Sequence, residues 1–198
     1  MLLQVVFILV IIILVFVIIR SKSSKILEIN EKNTDHSSDF IYQKEDFPLN
    51  IYYHKDTSVH PEYETLNTAV EKAVEKFNSV MNFKFFTIKD NIDDYPNLLL
   101  VQIVCDDHDG CVIKFDGKGG KLAHATYPPF RKICVDCKDI NYEPLDVVMI
   151  HEFGHSIGLR HTEDKNVKSI MCPYIDEKLT NLTTYDRELI VKMYKFLE

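Results

Sequence analysis

The amino-acid sequence predicts an α+β domain, with a mixed twisted sheet of about five strands and three helices, preceded by one transmembrane helix. Short apolar runs of strand length are interspersed with three longer segments in which apolar residues recur at helical spacing. The chain has 198 residues, which is enough for one domain with a real core, and its first 20 residues are far more apolar than the rest.

The N-terminal segment predicts a membrane anchor. Residues 2–19 are apolar except for Gln4, and a helix of that length just crosses a bilayer core of ~30 Å. The alternative is a cleaved signal peptide, which would release a secreted domain. A signal peptide calls for a basic start, a shorter apolar core and a small-residue cleavage site, and none of these is clear here. We therefore predict a single-pass anchor over residues 1–20.

The residues behind the anchor bear on its orientation. Arg20, Lys22 and Lys25 follow the apolar run, and no Lys or Arg precedes it. The positive-inside rule then places the rest of the chain on the cytoplasmic side. Residues 21–46 are polar and of mixed charge, which predicts a stalk or linker, so the folded domain is expected over residues 47–198.

The elements of the folded domain follow from periodicity and from turn residues. Apolar residues recur every three or four positions in residues 61–80, as on the buried face of a helix. Runs rich in β-branched and aromatic residues predict the strands. In chain order we predict a strand at 49–53, a helix at 61–80, strands at 83–88, 98–104, 122–126 and 132–135, a helix from 145 onward, and a terminal helix at 183–197.

The second of these helices runs into a metal-binding motif, because residues 151–161 read H-E-x-x-H-x-x-G-x-x-H. His151 and His155 lie one turn apart on one helix face, so both imidazoles can reach one cation at roughly 2.0–2.1 Å. Gly158 can end the helix in a left-handed turn, which returns His161 to the same metal. Three imidazoles leave the fourth position of a tetrahedral zinc for water, as in a catalytic site, and Glu152 is the candidate general base.

The motif is long enough to be specific. At odds of roughly 1 in 20 for each specified residue, all five occur by chance in on the order of 1 in 10,000 chains of this length. The alternative interpretation is a polar amphipathic helix that carries surface histidines. We favour the metal site.

With these features the chain resembles the matrixins, the matrix-metalloproteinase branch of the metzincin zinc endopeptidases, over roughly residues 47–197. Residues 169–174 resemble the family's Met-turn, and Thr162 directly after the third histidine suits this branch. Residues 115–125 are similar to the F-D-G…G-x-L-A-H-A stretch of matrixins. The resemblance implies a metzincin-like fold and zinc-dependent cleavage of extended protein substrates.

The resemblance also implies roles for single residues. Met171 would form an apolar floor beneath the three zinc histidines, whereas the alternative for a lone methionine is ordinary core filling. The segment after Met171 would wall the pocket for the residue after the scissile bond. The strand around His124 would form the upper rim of the cleft and pair edge-on with the substrate. The predicted substrate-binding residues are Leu122, Ala123, Ala125, Pro173 and Tyr174.

A second, structural zinc is implied at His124, where the chain departs from the family pattern. Cys111 and Cys134 stand where the family has an Asp and a His ligand, and His108 or Asp109 lies near the first ligand position. These residues together can form a thiolate-rich tetrahedral zinc site, which we predict. Alternatively, Cys111 and Cys134 can pair as a disulfide that replaces the metal. Zinc suits a reducing compartment, and the disulfide suits an oxidising one.

A structural calcium is implied by the same resemblance. Asp116, Asp136 and Asp139 match carboxylates that hold this ion in the family. Hard oxygen ligands grouped around a glycine-rich turn suit calcium. The alternative is a set of solvated acidic residues in turns.

Charge and motif together narrow the function. The net charge of −7 and the pI of about 5.6 argue against nucleic acid as a partner, since nucleic-acid binding usually needs a basic face. The expected partners are a protein or peptide substrate and a membrane. Two alternatives to the endopeptidase are a membrane-tethered zinc-binding scaffold without catalysis and an exopeptidase. The positive-inside rule places this domain in the cytoplasm, whereas most metzincins work outside cells. The orientation of the chain in the membrane therefore stays open.

Overall fold

The computed structural model describes residues 40–53, 63–93, 95–105, 113–141, 144–162, 164, 166–174, 176 and 178–198. The predicted membrane anchor over residues 1–20 lies outside these ranges. Within them, no helix has the length and apolar character needed to cross a membrane.

Within the described ranges, five strands form one mixed sheet and three helices accompany it, in agreement with the prediction. The strands are β1 (Leu49–Tyr52), β2 (Phe86–Ile88), β3 (Leu98–Val104), β4 (Ala123–Ala125) and β5 (Lys132–Asp136). The helices are α1 (Tyr63–Asn78), α2 (Leu145–Ser156) and α3 (Thr184–Met193), with short 3-10 helices at Lys44–Asp46 and Lys195–Leu197.

The order of strands in the sheet is β2-β1-β3-β5-β4. The first four pair in parallel, with Ile51 opposite Leu99 and Val101 opposite Ile133. The last strand, β4, pairs antiparallel to β5 and places His124 opposite Cys134. The sheet therefore ends in one short antiparallel strand whose outer side has no partner among the described strands.

The predicted strand at 83–88 is shorter in the structure, because the chain still turns at its start. The backbone N–H of Phe83 donates to the carbonyl of Met81, and pairing with β1 begins at Phe85, whose carbonyl accepts from Leu49. Asn78 at the end of α1 then holds β2 in place. Its side chain both donates to and accepts from the backbone of Phe86.

Helix α1 buries the apolar stripe that the sequence predicts and packs against α2. Lys72 of α1 and Asp146 of α2 form a salt bridge of 3.0 Å at the surface. Exposed pairs of this kind contribute about 0–1 kcal/mol, so the packing of apolar residues holds the two helices together. The buried residues of α1 are Leu66, Ala69, Val70, Ala73 and Phe77.

The folded unit begins before Phe47, the predicted boundary. Tyr42, which falls in the predicted stalk, is fully buried, and its hydroxyl donates to the backbone carbonyl of Phe130 at 3.1 Å. The guanidinium of Arg131 lies 5.0 Å from its ring centroid and also pairs with Asp46 at 3.2 Å. Burial raises the pKa of Tyr42 to about 12, which keeps the phenol neutral. Residues 40–46 are therefore part of the domain.

We expect Tyr42→Ala, made in the full chain, to lower the free energy of unfolding by about 3–5 kcal/mol, as for other buried aromatic residues. Glu45→Ala is the matched control, because Glu45 is an exposed residue of the same segment and its loss should change stability by about 0.5 kcal/mol or less. Urea denaturation measures both. Equal stability of the two variants would show that residues 40–46 do not stabilise the domain, and would support a domain boundary at residue 47.

Candidate active site

Helix α2 and the turn after it bring the three motif histidines together. His151 and His155 lie one turn apart on α2. The Nε2 atom of His161 lies 3.2 Å from that of His151 and 3.0 Å from that of His155. In the part of the chain that the structure describes, this is the only group of three or more metal-ligating side chains whose ligand atoms lie within 4.8 Å of one another.

The turn depends on Gly158, which has a φ of +96°, as the motif predicts. This left-handed conformation is cheap only for glycine. The N–H of Gly158 donates to the carbonyl of His155, and the N–H of Leu159 donates to that of Gly154. These bonds satisfy the last carbonyls of α2 and direct the chain back toward His161. From α3's end, the hydroxyl of Tyr194 donates to the carbonyl of Ile157 at 2.6 Å.

Two backbone carbonyls fix which nitrogen of each helical histidine faces the centre. The Nδ1 of His151 lies 2.8 Å from the carbonyl oxygen of Ile170, and the Nδ1 of His155 lies 2.7 Å from that of Leu159. A carbonyl can only accept, so Nδ1 carries the proton and Nε2 keeps its lone pair. Lone pairs of this kind repel each other at 3 Å unless a cation lies between them. The donor set therefore fits zinc, with neutral imidazoles oriented by backbone partners.

Burial keeps these rings in the form that binds metal. It lowers the pKa of His151 to about 4 and holds the pKa of His155 well below its usual value. Both rings are therefore neutral at neutral pH, and only neutral imidazole is a ligand. The ring of Tyr127 packs edge-on against His155, with centroids 5.1 Å apart, and helps to exclude water from that side.

Glu152 follows His151 on α2 and has a buried carboxyl group. It is only 6% exposed, its carboxyl accepts from the backbone of Ala125, and its Oε2 atom has no partner among the described residues. Burial raises its pKa to about 8. A buried polar atom without a partner costs free energy, so its retention points to a role outside folding. That is the property expected of a group that exchanges protons with a substrate.

Met171 packs under the catalytic helix. It is fully buried, and a Cβ on Gly154 would lie 2.5 Å from its Sδ atom, so only glycine fits there. The carbonyl of Met171 accepts from the N–H of Thr162, directly after the third histidine. Met171 therefore packs against α2 at Gly154, which lies between His151 and His155 in the sequence. This is the position implied by the Met-turn resemblance.

Asp186, in the first turn of α3, holds the segment that contains Met171. It is fully buried, and its carboxylate accepts from the hydroxyl of Ser169, from the N–H of Ile170 at 3.0 Å, and from both the N–H and the hydroxyl of Thr183 at 2.8 Å. The carbonyl of Ile170 is the partner of His151. Asp186 therefore acts on the first histidine through one residue.

Sequence reasoning missed Asp186 and Ser169. The pattern Thr183-x-x-Asp186 could have indicated the capping box that starts α3. No local pattern indicates that the same carboxylate reaches residues 169 and 170, because that contact joins distant parts of the chain.

The backbone groups of Ala123 and Ala125 in β4 face the side of the strand that has no partner among the described strands. The N–H of Thr126 donates to the carbonyl of Lys132, and the N–H of Asp136 donates to that of Leu122. Backbone groups alternate along an antiparallel strand, so those of Ala123 and Ala125 point away from β5. The backbone of Leu122 is thus engaged with β5. Of the other predicted substrate residues, Pro173 is exposed and Tyr174 is 85% exposed.

The second zinc site is not supported by the structure. Cys134, which we expected as a thiolate ligand, is disulfide-bonded, and a disulfide sulfur is not a thiolate. The Nε2 of His124 lies 3.1 Å from the carbonyl of Ile113. The remaining predicted ligands, Cys111, His108 and Asp109, lie outside the described residues.

A disulfide that the sequence did not predict joins Cys105 to Cys137, with Cα atoms 5.2 Å apart. Cys137 is the second cysteine of the C-x-x-C sequence that begins at Cys134. Among the described residues, Cys172 is the one free cysteine. The cysteines of this region are therefore oxidised in the structure, as in the disulfide alternative.

Two of the three predicted calcium ligands contact the glycine-rich turn at residues 116–121. Asp139 is buried and accepts from the N–H of Gly119, whereas Asp116 is exposed and accepts from the N–H of Lys121, a bond that lowers its pKa. Asp136 is buried, and its Oδ2 atom has no partner among the described residues. That orphaned oxygen fits a cation, but the three carboxylates do not converge within the reach of one ion. Calcium stays a prediction.

Comparison with known proteins agrees with this geometry. A model of the matrixin family matches residues 43–195. Macrophage metalloelastase of Rattus norvegicus is 33% identical over 135 residues, which cover 63% of this chain and 28% of that protein. Metalloendoproteinase 1 of Glycine max is 28% identical over 146 residues, which cover 66% and 46%. Matrix metalloproteinase-25 of Mus musculus is 35% identical over 97 residues, which cover 40% and 15%.

The matched stretches span less than half the length of each of these relatives. The family match nevertheless covers most of this chain and includes α2, the glycine turn and the segment of Met171. The histidine site and its supports thus lie in a domain of known type, and the chain belongs to the matrixin family, whose members use a catalytic zinc.

Proposed function

We propose that this chain is a zinc endopeptidase that hydrolyses peptide bonds of extended protein substrates. One observation carries the proposal: three histidine Nε2 atoms converge, and Glu152, next to the first of these histidines on α2, has a buried carboxyl group with an unpartnered oxygen. Membership of the matrixin family supports it. A structural metal site would need neither an open position nor an adjacent acid.

In this mechanism His151, His155 and His161 hold the metal, and the chain's own groups move the protons. Zinc bound there would lower the pKa of a water molecule and polarise the scissile carbonyl. Glu152 takes a proton from the attacking water and passes it to the leaving amine. Its burial suits this work, because a raised pKa makes the ionised carboxylate a stronger base, and a zinc cation bound nearby would favour the ionised form.

The substrate is proposed to add to the open side of β4 as a further strand. The backbone groups of Ala123 and the carbonyl of Ala125 face that side, and they supply hydrogen bonds to an extended chain. The backbone of Ala125 also bonds Glu152, so the strand that aligns the substrate is tied to the proposed base. Pro173 and Tyr174 are proposed to line the pocket beyond the scissile bond.

An endopeptidase fits these features better than the two alternatives. A scaffold without catalysis gives no reason for the buried, unpartnered oxygen of Glu152. An exopeptidase must bind a charged chain end, whereas β4 offers uncharged backbone groups to the middle of a chain. A peptide blocked at both ends separates the two kinds of peptidase.

The disulfides bear on the location of the domain. Disulfide bonds persist in oxidising compartments and are rare in the cytosol. We therefore place the domain outside the cytosol, against the positive-inside rule, on the evidence of Cys105, Cys137 and Cys134. Anchoring by residues 1–20 remains a proposal from their apolar sequence, and a calcium ion at Asp136 remains a proposal from its orphaned oxygen.

We expect Glu152→Gln to lower kcat by about 10²–10⁴-fold on an end-blocked, internally quenched peptide, because the amide cannot accept the proton. The three histidines are unchanged, so zinc bound per chain should equal that of the wild type. A chelator should abolish the wild-type activity. Added zinc should then restore it.

Two results would count against the assignment. Undiminished cleavage by the glutamine variant would remove Glu152 from the role of base. Zinc binding with no cleavage of several blocked peptides by the wild type would favour the scaffold, and cleavage of unblocked peptides alone would favour the exopeptidase.

Asp186→Asn should weaken zinc affinity by about 10-fold, because it loosens the segment that orients His151. It also leaves buried donors unpaired, at about 1–3 kcal/mol each. Thr183→Ala is the matched control. It removes the side chain that caps α3 and donates to the same carboxylate, yet it spares the bonds from Ser169 and Ile170. Competition with a chromogenic chelator measures the affinity. Equal zinc affinity in the two variants, each less stable than the wild type, would show that Asp186 is purely structural.

A further inference from the structure

A disulfide joins the end of strand β5 to the end of strand β3. Along the parallel pair of β3 and β5, Val104 lies opposite Asp136 in the last register position. The next residues, Cys105 and Cys137, form a disulfide, and the N–H of Cys137 donates to the carbonyl of Val104 at 3.0 Å. The covalent bond therefore continues the ladder by one more pair.

A second disulfide begins three residues earlier on the same strand. Cys134 is fully buried and disulfide-bonded, and it lies directly opposite His124 of β4. Among the strands that the structure describes, β5 is the one partner of β4. Bonds that fix the position of β5 therefore also fix the position of β4, whose open side faces the proposed substrate.

A structural zinc does not fit this place. Zinc binds thiolates, and Cys134 has no thiolate while its sulfur is in a disulfide. The Nε2 of His124 is within hydrogen-bond distance of the carbonyl of Ile113, which requires a proton on that nitrogen. Apart from the three catalytic histidines, the described residues contain no cluster of metal-ligating side chains.

We propose that disulfides hold the β4–β5 rim in place of a structural metal. The chain then binds one zinc rather than two, and the order of its substrate edge depends on the oxidation of its cysteines. The reference to a substrate edge rests on the proposed function. The zinc count and the cysteine pairing do not, so they can be tested in a protein with no measured activity.

The same fastening makes the rim sensitive to reduction. A dithiol such as dithiothreitol breaks each S–S bond, gives two protein thiols and leaves as its own cyclic disulfide, so electrons and protons balance. With the bond between Cys105 and Cys137 open, this end of β5 loses its covalent link to β3 and keeps hydrogen bonds to β3 and to Leu122. The backbone of Ala125, which bonds Glu152, lies on the strand that β5 supports.

The test uses the full chain, purified in detergent without reductant. We expect one zinc per chain by elemental analysis. Alkylation of the denatured protein followed by mass spectrometry should label one cysteine, Cys172, before reduction and all five after it. Reduction should lower Tm by about 5–15 °C, the range for losing disulfides in a domain of this size. Reduction should raise the KM for the end-blocked peptide and leave the zinc bound per chain unchanged.

Two variants make the result specific. The double variant Cys105→Ala and Cys137→Ala should have a lower Tm and a smaller further drop on reduction. Cys172→Ala is the matched control, because it removes the free thiol and leaves the reductant-dependent drop in Tm intact. If the double variant does not fold, the reduction of the wild type still decides the question.

The proposal is overturned by two zincs per chain together with a Cys134 that alkylates before reduction, or by a Tm that reductant leaves unchanged. These outcomes are distinct from a failure of the proposed function. A chain that cleaves no peptide, yet has one zinc and a single reactive thiol, would contradict the endopeptidase and support the disulfide-held rim.

Discussion

The convergence of three imidazole rings is the constraint on which the rest of the site depends. The Nε2 atoms of the two helical rings lie 3.0–3.2 Å from that of the third, so the rings must be held in place by partners outside the cluster before a cation can bind between them. The carbonyls of Ile170 and Leu159 are those partners for the two helical rings. Gly154 and Gly158 serve the same end, the first by admitting Met171 and the second by turning the chain.

Rigidity around the histidines is distributed over segments far apart in the chain. Ile170 is held by a carboxylate of α3, and the end of α2 is held by Tyr194 just beyond α3. Tyr194 in turn packs against Phe47 from the start of the domain. The metal site is therefore preorganised by both termini of the folded unit, and damage at either end is expected to reach it.

Local patterns in the sequence were enough for the elements and for the zinc ligands, because helical periodicity and the spacing of His151, His155 and His161 depend on neighbouring residues. Contacts between distant segments were not predictable in this way. Tyr42 looked like part of a polar stalk, and Asp186 looked like an ordinary acidic residue of a helix start. The prediction of zinc at the cysteines was wrong for another reason. A thiolate ligand and a disulfide partner are the same residue type, and only the distance to another cysteine in the fold distinguishes them.

The antiparallel strand at the edge of an otherwise parallel sheet has a consequence for selectivity. The groups of β4 that face outward belong to the backbones of Ala123 and Ala125, and every polypeptide carries complementary groups. On the proposed function, such an edge would recognise the extended conformation of a substrate before its sequence, since a chain must first be extended over several residues. The stability of a potential substrate against local unfolding would then decide which of its bonds are reached, and compact regions of that protein would be spared.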